Sequence, residues 1–579
     1  MKITKGALYL LLIVLLGLAL RTISAHYVDI GSDEIIYSLI PYNIISAGRL
    51  STVEQAPLYF YLVDMGYKLS EGITLISTRW PSIVFGAFGS LIIFLISMEL
   101  FKHKKAAYVS AFLFAMSGFS IRWNQEMDMT AYFFALLSLY FFIRTIKGEQ
   151  KQLYLTALFL ALGVMAKPIV LLFVPAYLII LIWQGWNTKS GLLHRHERKI
   201  VYNKKTGKVL LIAGIIMILV VMPVLVYNYL LYQEKGITDY YFTVLAGVGN
   251  NKIYAGQEAE LWTFTRFIGV SKQILFSWMW KYNAVILIFG FLGIGFAWKK
   301  DKYGTALLVL TIAFLLLYLA GKMGSPTHYV WIPIVLSISA GYGLVRIHEQ
   351  TIPRINFKYV MALLIILISI NTLFVLKEII PLRKNSIQNV LHDYATENIP
   401  ADAIVVLDPR IYRGIYAWAF YNRHYLEGTY FPELAKKLDN FPGEKQNLPL
   451  YYIECGPGKN CGWKPEDFQR IYDYGKQLSA TITPQMKKIQ ELRTVDTFII
   501  YQGMINAPTS IYEPIDRTHT HWYTPVGWKY PENAVDTYTP RTILDKLLNS
   551  FGFFILYLDV LVALLSPALV VYLLWKRSD

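Results

Sequence analysis

The sequence predicts a polytopic α-helical membrane protein with one extracytoplasmic α/β domain. Three observations lead there. First, 55% of the 579 residues are hydrophobic and only 16% are charged, with mean hydropathy +0.40. A soluble protein of that size cannot bury so much apolar side chain. Second, about twelve apolar runs long enough to cross or nearly cross a bilayer recur, separated by short basic segments. Third, the stretch 378–550 has no such run and is large enough for a domain of its own.

In order, the runs fall at 7–25, 79–101, 106–121, 129–146, 152–166, 168–186, 209–231, 275–298, 303–321, 329–346, 358–377 and 551–575. The first has no small-residue cleavage site and reads as a retained anchor rather than a cleaved signal. The pair 152–166 and 168–186 is short and meets at Lys167-Pro168. It reads as two spans that barely cross or as one broken, re-entrant element.

Lys and Arg placement sets the orientation. With the N-terminus in the cytoplasm, Lys102, Lys104 and Lys105, the run from Lys189 to Lys208, Lys299 and Lys300, and Lys576 and Arg577 all fall inside. The short outer connections carry only Arg122, Lys167 and Lys322. Both termini are then cytoplasmic, and 26–78, 232–274 and 378–550 face outside. The expected setting is the plasma membrane of a prokaryote. The formal charge of +16 follows largely from the inner clusters, so it calls for no nucleic-acid partner.

The chain divides into a membrane module over 1–377, the outer domain over 378–550, and a final span with a basic tail over 551–579. In the outer domain, 403–407, 450–453 and 497–501 read as buried strands, with helical stretches at 387–396 and 465–477. The two cysteines, Cys455 and Cys461, bracket Gly-Pro-Gly-Lys-Asn. On the outer side of a membrane that spacing favours a disulfide loop over a two-thiolate metal site.

Chemistry-bearing residues gather on the outer face. Gly31-Ser32-Asp33-Glu34 follows the first span. Ser32 could cap a helix whose positive end favours both carboxylates, and a carboxylate held there is equally placed to act as a base. Ile36, Ile40 and Ile44 with Tyr37 form one face of that helix, which Pro41 kinks and Gly48 ends. Glu126 and Asp128 occupy the tight connection Arg122–Asp128. There, Arg122 pairs with Glu126 in a wet loop, or both acids join the first loop in one site. Pro57 opens a short helix with Tyr59, Phe60 and Tyr61, an interfacial aromatic belt or a substrate surface. Lys167 either snorkels to the surface or meets a phosphate. Gly321-Lys322 to His328-Tyr329 is a turn that brings a cation and an imidazole to the same side. His519-Thr-His521 lacks a further metal ligand. Phosphate-loop, dinucleotide, zinc-protease and nucleophile-elbow motifs are missing from the sequence.

Several of these pieces, in this order, resemble the GT-C membrane glycosyltransferases, in the branch of protein O-mannosyltransferases and lipid A aminoarabinose transferases. They are Asp33-Glu34 with Tyr37 and Arg49, Ala56-Pro-Leu-Tyr59, Gln125-Glu126, Ala166-Lys-Pro168, Gly321-Lys322 and Tyr329-Val-Trp-Ile-Pro333. The resemblance covers about residues 1–350; the outer domain is not matched. It implies a sugar donor on a polyprenyl phosphate, a protein or lipid acceptor on the outer face, and Asp33 as catalytic base with Glu34 beside it. Relatives often have a Lys-Pro pair where this chain reads Gln55-Ala56-Pro57, so other cations must meet the donor phosphate here.

The expected reaction is inverting: an acceptor hydroxyl attacks C1, Asp33 takes its proton, and cations stabilise the departing phosphate. Asp33, Glu34, Glu126 and Asp128 are the catalytic candidates. Lys167, Arg122 and Lys322 are the phosphate contacts, and Tyr37, Tyr59, His328 and Tyr329 the substrate contacts. No metal or other cofactor is obligatory, since Lys and Arg can serve the phosphate; a divalent metal is possible but not indicated. The alternative is a transporter or lipid flippase. Such proteins carry repeats and polar residues at mid-membrane, whereas here the charges collect at one end of the spans. A non-catalytic scaffold and an oligosaccharide transferase are further alternatives; the sequence has no Trp-Trp-Asp motif for the latter.

Overall fold

The computed structural model describes residues 5–578 except 29–33, 35–36, 39, 42–44, 46–47, 54, 71–72, 190–203, 246, 249–261, 322–324, 352, 386, 402, 412–419, 421–423, 429–430, 441–442, 458, 460, 462–464, 494–495 and 508–536. The membrane module comprises α1 (Lys5–Tyr27), α2 (Leu58–Ser70), α3 (Leu75–Phe101), α4 (Lys104–Ala115), α5 (Gly118–Arg122), α6 (Met127–Ile146), α7 (Gln152–Ala166), α8 (Val174–Lys189), α9 (Lys204–Lys235), α10 (Phe264–Lys272), α11 (Trp280–Lys300), α12 (Lys302–Leu319), α13 (Trp331–Thr351) and α14 (Phe357–Asn385). The outer domain follows, and α18 (Ile543–Ser578) returns the chain to the membrane.

Helices that are apolar all round lie at the centre. In α6, Phe133, Phe134, Tyr140, Phe141 and Phe142 are all buried. Together α3, α6 and α13 form the interior, whereas α1, α9, α14 and α18 expose apolar side chains outward, as lipid-facing helices do. Where α11 crosses α13, a Cβ on Gly343 would lie 2.7 Å from the Cα of Gly293. Small residues let these two backbones meet.

Among the described residues, ten helices are long and apolar enough to cross a membrane. This differs from the twelve runs in the sequence at two places. The run 106–121 breaks at Met116-Ser117, leaving α4 with 12 residues, about 18 Å. Ser117 accepts from the Ser120 N–H and starts α5. The Phe114 and Ala115 carbonyls at the end of α4 receive the buried Arg21 guanidinium, at 3.5 and 3.3 Å. Hydrophobicity alone does not show that break. The second place is the pair at Lys167-Pro168. Here α7 has 15 residues and stops at an extended Lys167 (φ −158°, ψ 124°), and Pro168–Phe173 continues as a 3₁₀ turn into α8.

The outer domain contains α15 (Ile387–Asn398), β1 (Ile404–Leu407), β2 (His424–Glu427), α16 (Phe431–Asp439), β3 (Gln446–Cys455), α17 (Pro465–Ile482), β4 (Lys487–Arg493) and β5 (Thr497–Ala507). The sheet order is β2-β1-β3-β5-β4. β1 lies parallel to β2 and β3, with Val405 opposite Tyr451 and Leu407 opposite Ile453. β5 is antiparallel to β3 and β4. Both faces of the central strands are covered: Ile404, Val406, Leu450 and Tyr452 cluster with Leu478 and Ile482 of α17. Val405, Leu407, Tyr451 and Ile453 belong to the cluster that holds Leu391, Ala395 and Ile399. The Cys455 and Cys461 sulfurs are bonded at 2.04 Å, closing a loop across a sequence separation of 6.

A loop of that length removes chain entropy worth about 2 kcal/mol from the unfolded domain. Paired Cys455→Ser and Cys461→Ser substitutions are therefore expected to lower the unfolding midpoint of the outer domain in urea. Alkylation of the native protein without reductant should leave both positions unmodified. Equal midpoints, or alkylated cysteines, would contradict the pairing.

Candidate active site

Apolar helices bury charged groups only where each finds a partner. Two such pairs stand at the ends of α3 and α6 that receive the acidic loops. Glu34 is buried, 2% exposed, on a helical residue of the first loop. The fully buried Arg79, one turn into α3, donates Nη2–H to Glu34 Oε2 at 2.7 Å and Nε–H to Oε1. Asp128, in the first turn of α6, accepts from Lys167 Nζ at 2.6 Å. Its other oxygen lies 2.9 Å from His328 Nδ1. A carboxylate can only accept, so Nδ1 carries the imidazole proton and donates it to Asp128. Nε2 of the ring has no hydrogen-bond partner among the described residues.

The backbone breaks explain why these three meet. Lys167 is aimed inward by the extended residue between α7 and the following 3₁₀ turn. His328 sits in the 3₁₀ turn Pro326–Tyr329 that precedes α13, and its carbonyl receives the Tyr132 hydroxyl of α6. Between the two pairs lies Glu126. Ser82 of α3 donates to its carbonyl at 2.7 Å, and Thr327 donates to its carboxylate at 3.1 Å. Tyr59 closes the gap on the loop side, with its hydroxyl 3.2 Å from the Thr78 carbonyl. Burial pushes that hydroxyl up. Glu34 and Glu126 raise it further, while Ser82 and Arg79 oppose them. One polar band thus runs from Glu34 past Tyr59 and Glu126 to Asp128, Lys167 and His328.

The other sequence candidates lie in different settings. Tyr37 is buried with its ring 6.1 Å from that of Phe60. Tyr329 is buried against Trp278. Arg122 stacks its guanidinium over Trp123 at 4.3 Å. Tyr59, Phe60 and Tyr61 are buried in α2 rather than spread along an interface, which corrects the aromatic-belt reading. Asp33, Lys322, His519 and His521 lie outside the described residues. Among the described residues no group of three or more His, Cys, Asp and Glu is placed to hold a metal.

Three participants escaped the sequence reading: Arg79, Ser82 and the Thr327 contact. Arg79 had a legible signal, a cation at the head of an apolar run on the same side as the acidic pair. Ser82 had none, being one small residue in an apolar helix.

A groove of about 430 Å³ is lined in part by Pro168, the chain neighbour of Lys167. Val164, Met165, Pro168 and Leu171 form one wall, and Met217, Ile218, Val221, Val224 and Leu225 of α9 the other. It also reaches Ala56, Asp239 and Tyr241. The Tyr241 hydroxyl donates to Gln55 at 2.7 Å, docking that part of the groove on the first loop.

Comparison with known proteins now bears on this geometry. The family model described as dolichyl-phosphate-mannose-protein mannosyltransferase matches residues 54–227, which hold Tyr59, Arg79, Glu126, Asp128, Lys167 and both groove walls. The fold is similar to that of ArnT from Cupriavidus metallidurans bound to undecaprenyl phosphate, with TM-score 0.55 and 11% identity, over 85% of this chain and 97% of that one. The apo state of the same protein gives TM-score 0.54 and 11% identity, over 86% and 98%. The chain thus shares the fold of ArnT, and its 54–227 segment matches the mannosyltransferase family model. No curated protein sequence matches the chain. With ten helices among the described residues able to span a bilayer, the chain is an integral membrane protein with an added α/β domain, and its polar band lies at the helix ends that receive Glu34, Glu126 and His328.

Removing one member of a buried ion pair leaves the other uncompensated, at a cost of about 3–5 kcal/mol. Lys167→Met and Asp128→Asn are each expected to lower the melting temperature clearly in detergent. The double variant should recover part of the loss. Two single variants that melt like wild type would show that the pair is exposed to water.

Proposed function

We propose that the protein transfers a sugar from a polyprenyl-phosphate carrier to an acceptor hydroxyl at the outer membrane surface, inverting the anomeric carbon, with Asp33 as general base. The observation that carries this reading is an apolar groove whose wall includes Pro168, the chain neighbour of the buried Lys167. A prenyl chain fits such a groove, and its phosphate then stops at the outer edge of the bilayer. The binding of undecaprenyl phosphate by ArnT, on a similar fold, supports the same carrier class.

In the reaction, the acceptor oxygen forms its bond to C1 as the bond from C1 to the phosphate oxygen breaks. The acceptor proton passes to Asp33, and the electron pair of the broken bond stays on the carrier phosphate. Asp33 follows the first span directly, one residue before the anchored Glu34. His328 offers Nε2 towards the substrate while Asp128, itself held by Lys167, fixes its ring, and Lys167 adds positive charge on the phosphate side. A prokaryotic plasma membrane with the site outside follows from the basic clusters in the inner loops. The identity of the sugar and acceptor belongs to the test.

That test offers purified protein radiolabelled polyprenyl-phosphate sugars with a membrane extract as acceptor. Label should move from carrier to acceptor, and Asp33→Asn should reduce turnover at least ~10²-fold, the usual contribution of a base. Absence of transfer from every donor defeats the reading. Val221→Trp, which fills the groove, should raise KM for the donor more than it lowers kcat, because the tail is bound alike in ground and transition states. An unchanged KM would place the carrier elsewhere.

A further inference from the structure

One buried side chain reaches both flanks of the segment that bears Asp33. Arg79 is 0% exposed. Its Nη1 donates to the carbonyls of Ala25 at 2.5 Å and Val28 at 2.8 Å. Ala25 lies in the last turn of α1 and Val28 just beyond it, where carbonyls lose their intrahelical partners. Nε and Nη2 of the same guanidinium hold the two oxygens of Glu34. Residues 29–33 therefore connect two points fixed on one side chain.

We propose that Arg79 is a positioning residue for the transfer reaction, tying the end of α1 to Glu34, the chain neighbour of the base. This rests on the reading of Asp33 as base. A base works only within hydrogen-bond reach of the proton it takes, and a shift of about 1 Å can cost about 10²-fold. Only a planar fork with donors on both edges can serve two carbonyls and a carboxylate together; an ammonium keeps the charge and loses the geometry. Glu34 is then the anchor for its neighbour rather than a second base, because both its oxygens are taken by a buried cation.

The experiment has two arms on the full-length protein in nanodiscs, comparing wild type with Arg79→Lys and with the isosteric Glu34→Gln. Hydrogen exchange of peptides covering 24–40 should speed up by about tenfold or more, with the remaining helices unchanged. With the donor found active above, turnover should fall about 10²-fold while KM stays near wild type. Guanidinium ion added to Arg79→Ala should restore part of the turnover. Unchanged exchange overturns the clamp. Faster exchange with intact turnover, or a loss seen in KM alone, overturns the positioning role. If Arg79→Lys does not fold, Glu34→Gln decides both arms. Transfer surviving in Asp33→Asn defeats the base assignment whatever Arg79 does, so the two failures are told apart.

Discussion

A guanidinium without solvent must be bonded on every side, and Arg79 meets that requirement with atoms from three places. It joins the end of α1, the first acidic loop and the head of α3 at one point. The rest of the polar band follows from that junction. Ser82 stands almost one turn further along α3 and holds Glu126. Glu126 meets Thr327, and the next residue, His328, meets Asp128 and Lys167. Burying these charges is unfavourable one at a time and tolerable only as a connected set. Arg21 is held less completely: its Nη groups reach Ser120 at 3.0 Å and the carbonyls that end α4, while its Nε has no hydrogen-bond partner among the described residues. Arginines within the spans, Arg21 and Arg79, and the carboxylate of Glu34 thus act as fasteners between helices that are otherwise apolar.

The membrane module was legible wherever hydrophobicity alone decides. Long uniform runs such as 129–146 and 358–377 became helices because nothing in them offers an alternative partner to the backbone. The run 106–121 was not legible as two helices, since the break depends on Arg21 from another span and on Ser117 as a cap. In the outer domain, β1 and the centre of β3 could be read because strands buried on both faces are continuous apolar runs, and β5 because Phe-Ile-Ile-Tyr opens it even though its burial alternates. β4, Lys-Lys-Ile-Gln-Glu-Leu-Arg, is a charged edge strand and carries no such signal. β2 is a four-residue edge strand with the same difficulty.

Within the site, residue types were readable and pairings were not. Asp128, Lys167 and His328 each stood out as charge or imidazole beside apolar sequence. That they form one cluster is a property of three separate backbone breaks. Lys167 shows the consequence. As an isolated cation it suggests a phosphate contact, whereas in the fold its charge is shared with Asp128, the carboxylate that fixes the histidine ring. The outer domain adds its own buried set, Arg410 with Asp408 and Glu454, at the carboxyl ends of β1 and β3. All its bonds run between elements of that domain, so it reads as reinforcement rather than as a second site.

The account stands on a carrier lipid lying in the groove between α7 and α9 with its phosphate at the polar band. Its most direct test is a cryo-electron microscopy map of the protein with undecaprenyl phosphate bound in a nanodisc. The prenyl chain is expected along Val164, Leu171 and Val221, with the phosphate beside His328 and the first loop. Density for the lipid on another face, such as the cleft between α11 and α14 at Asn283 and Asn371, with the α7–α9 groove empty, would contradict it.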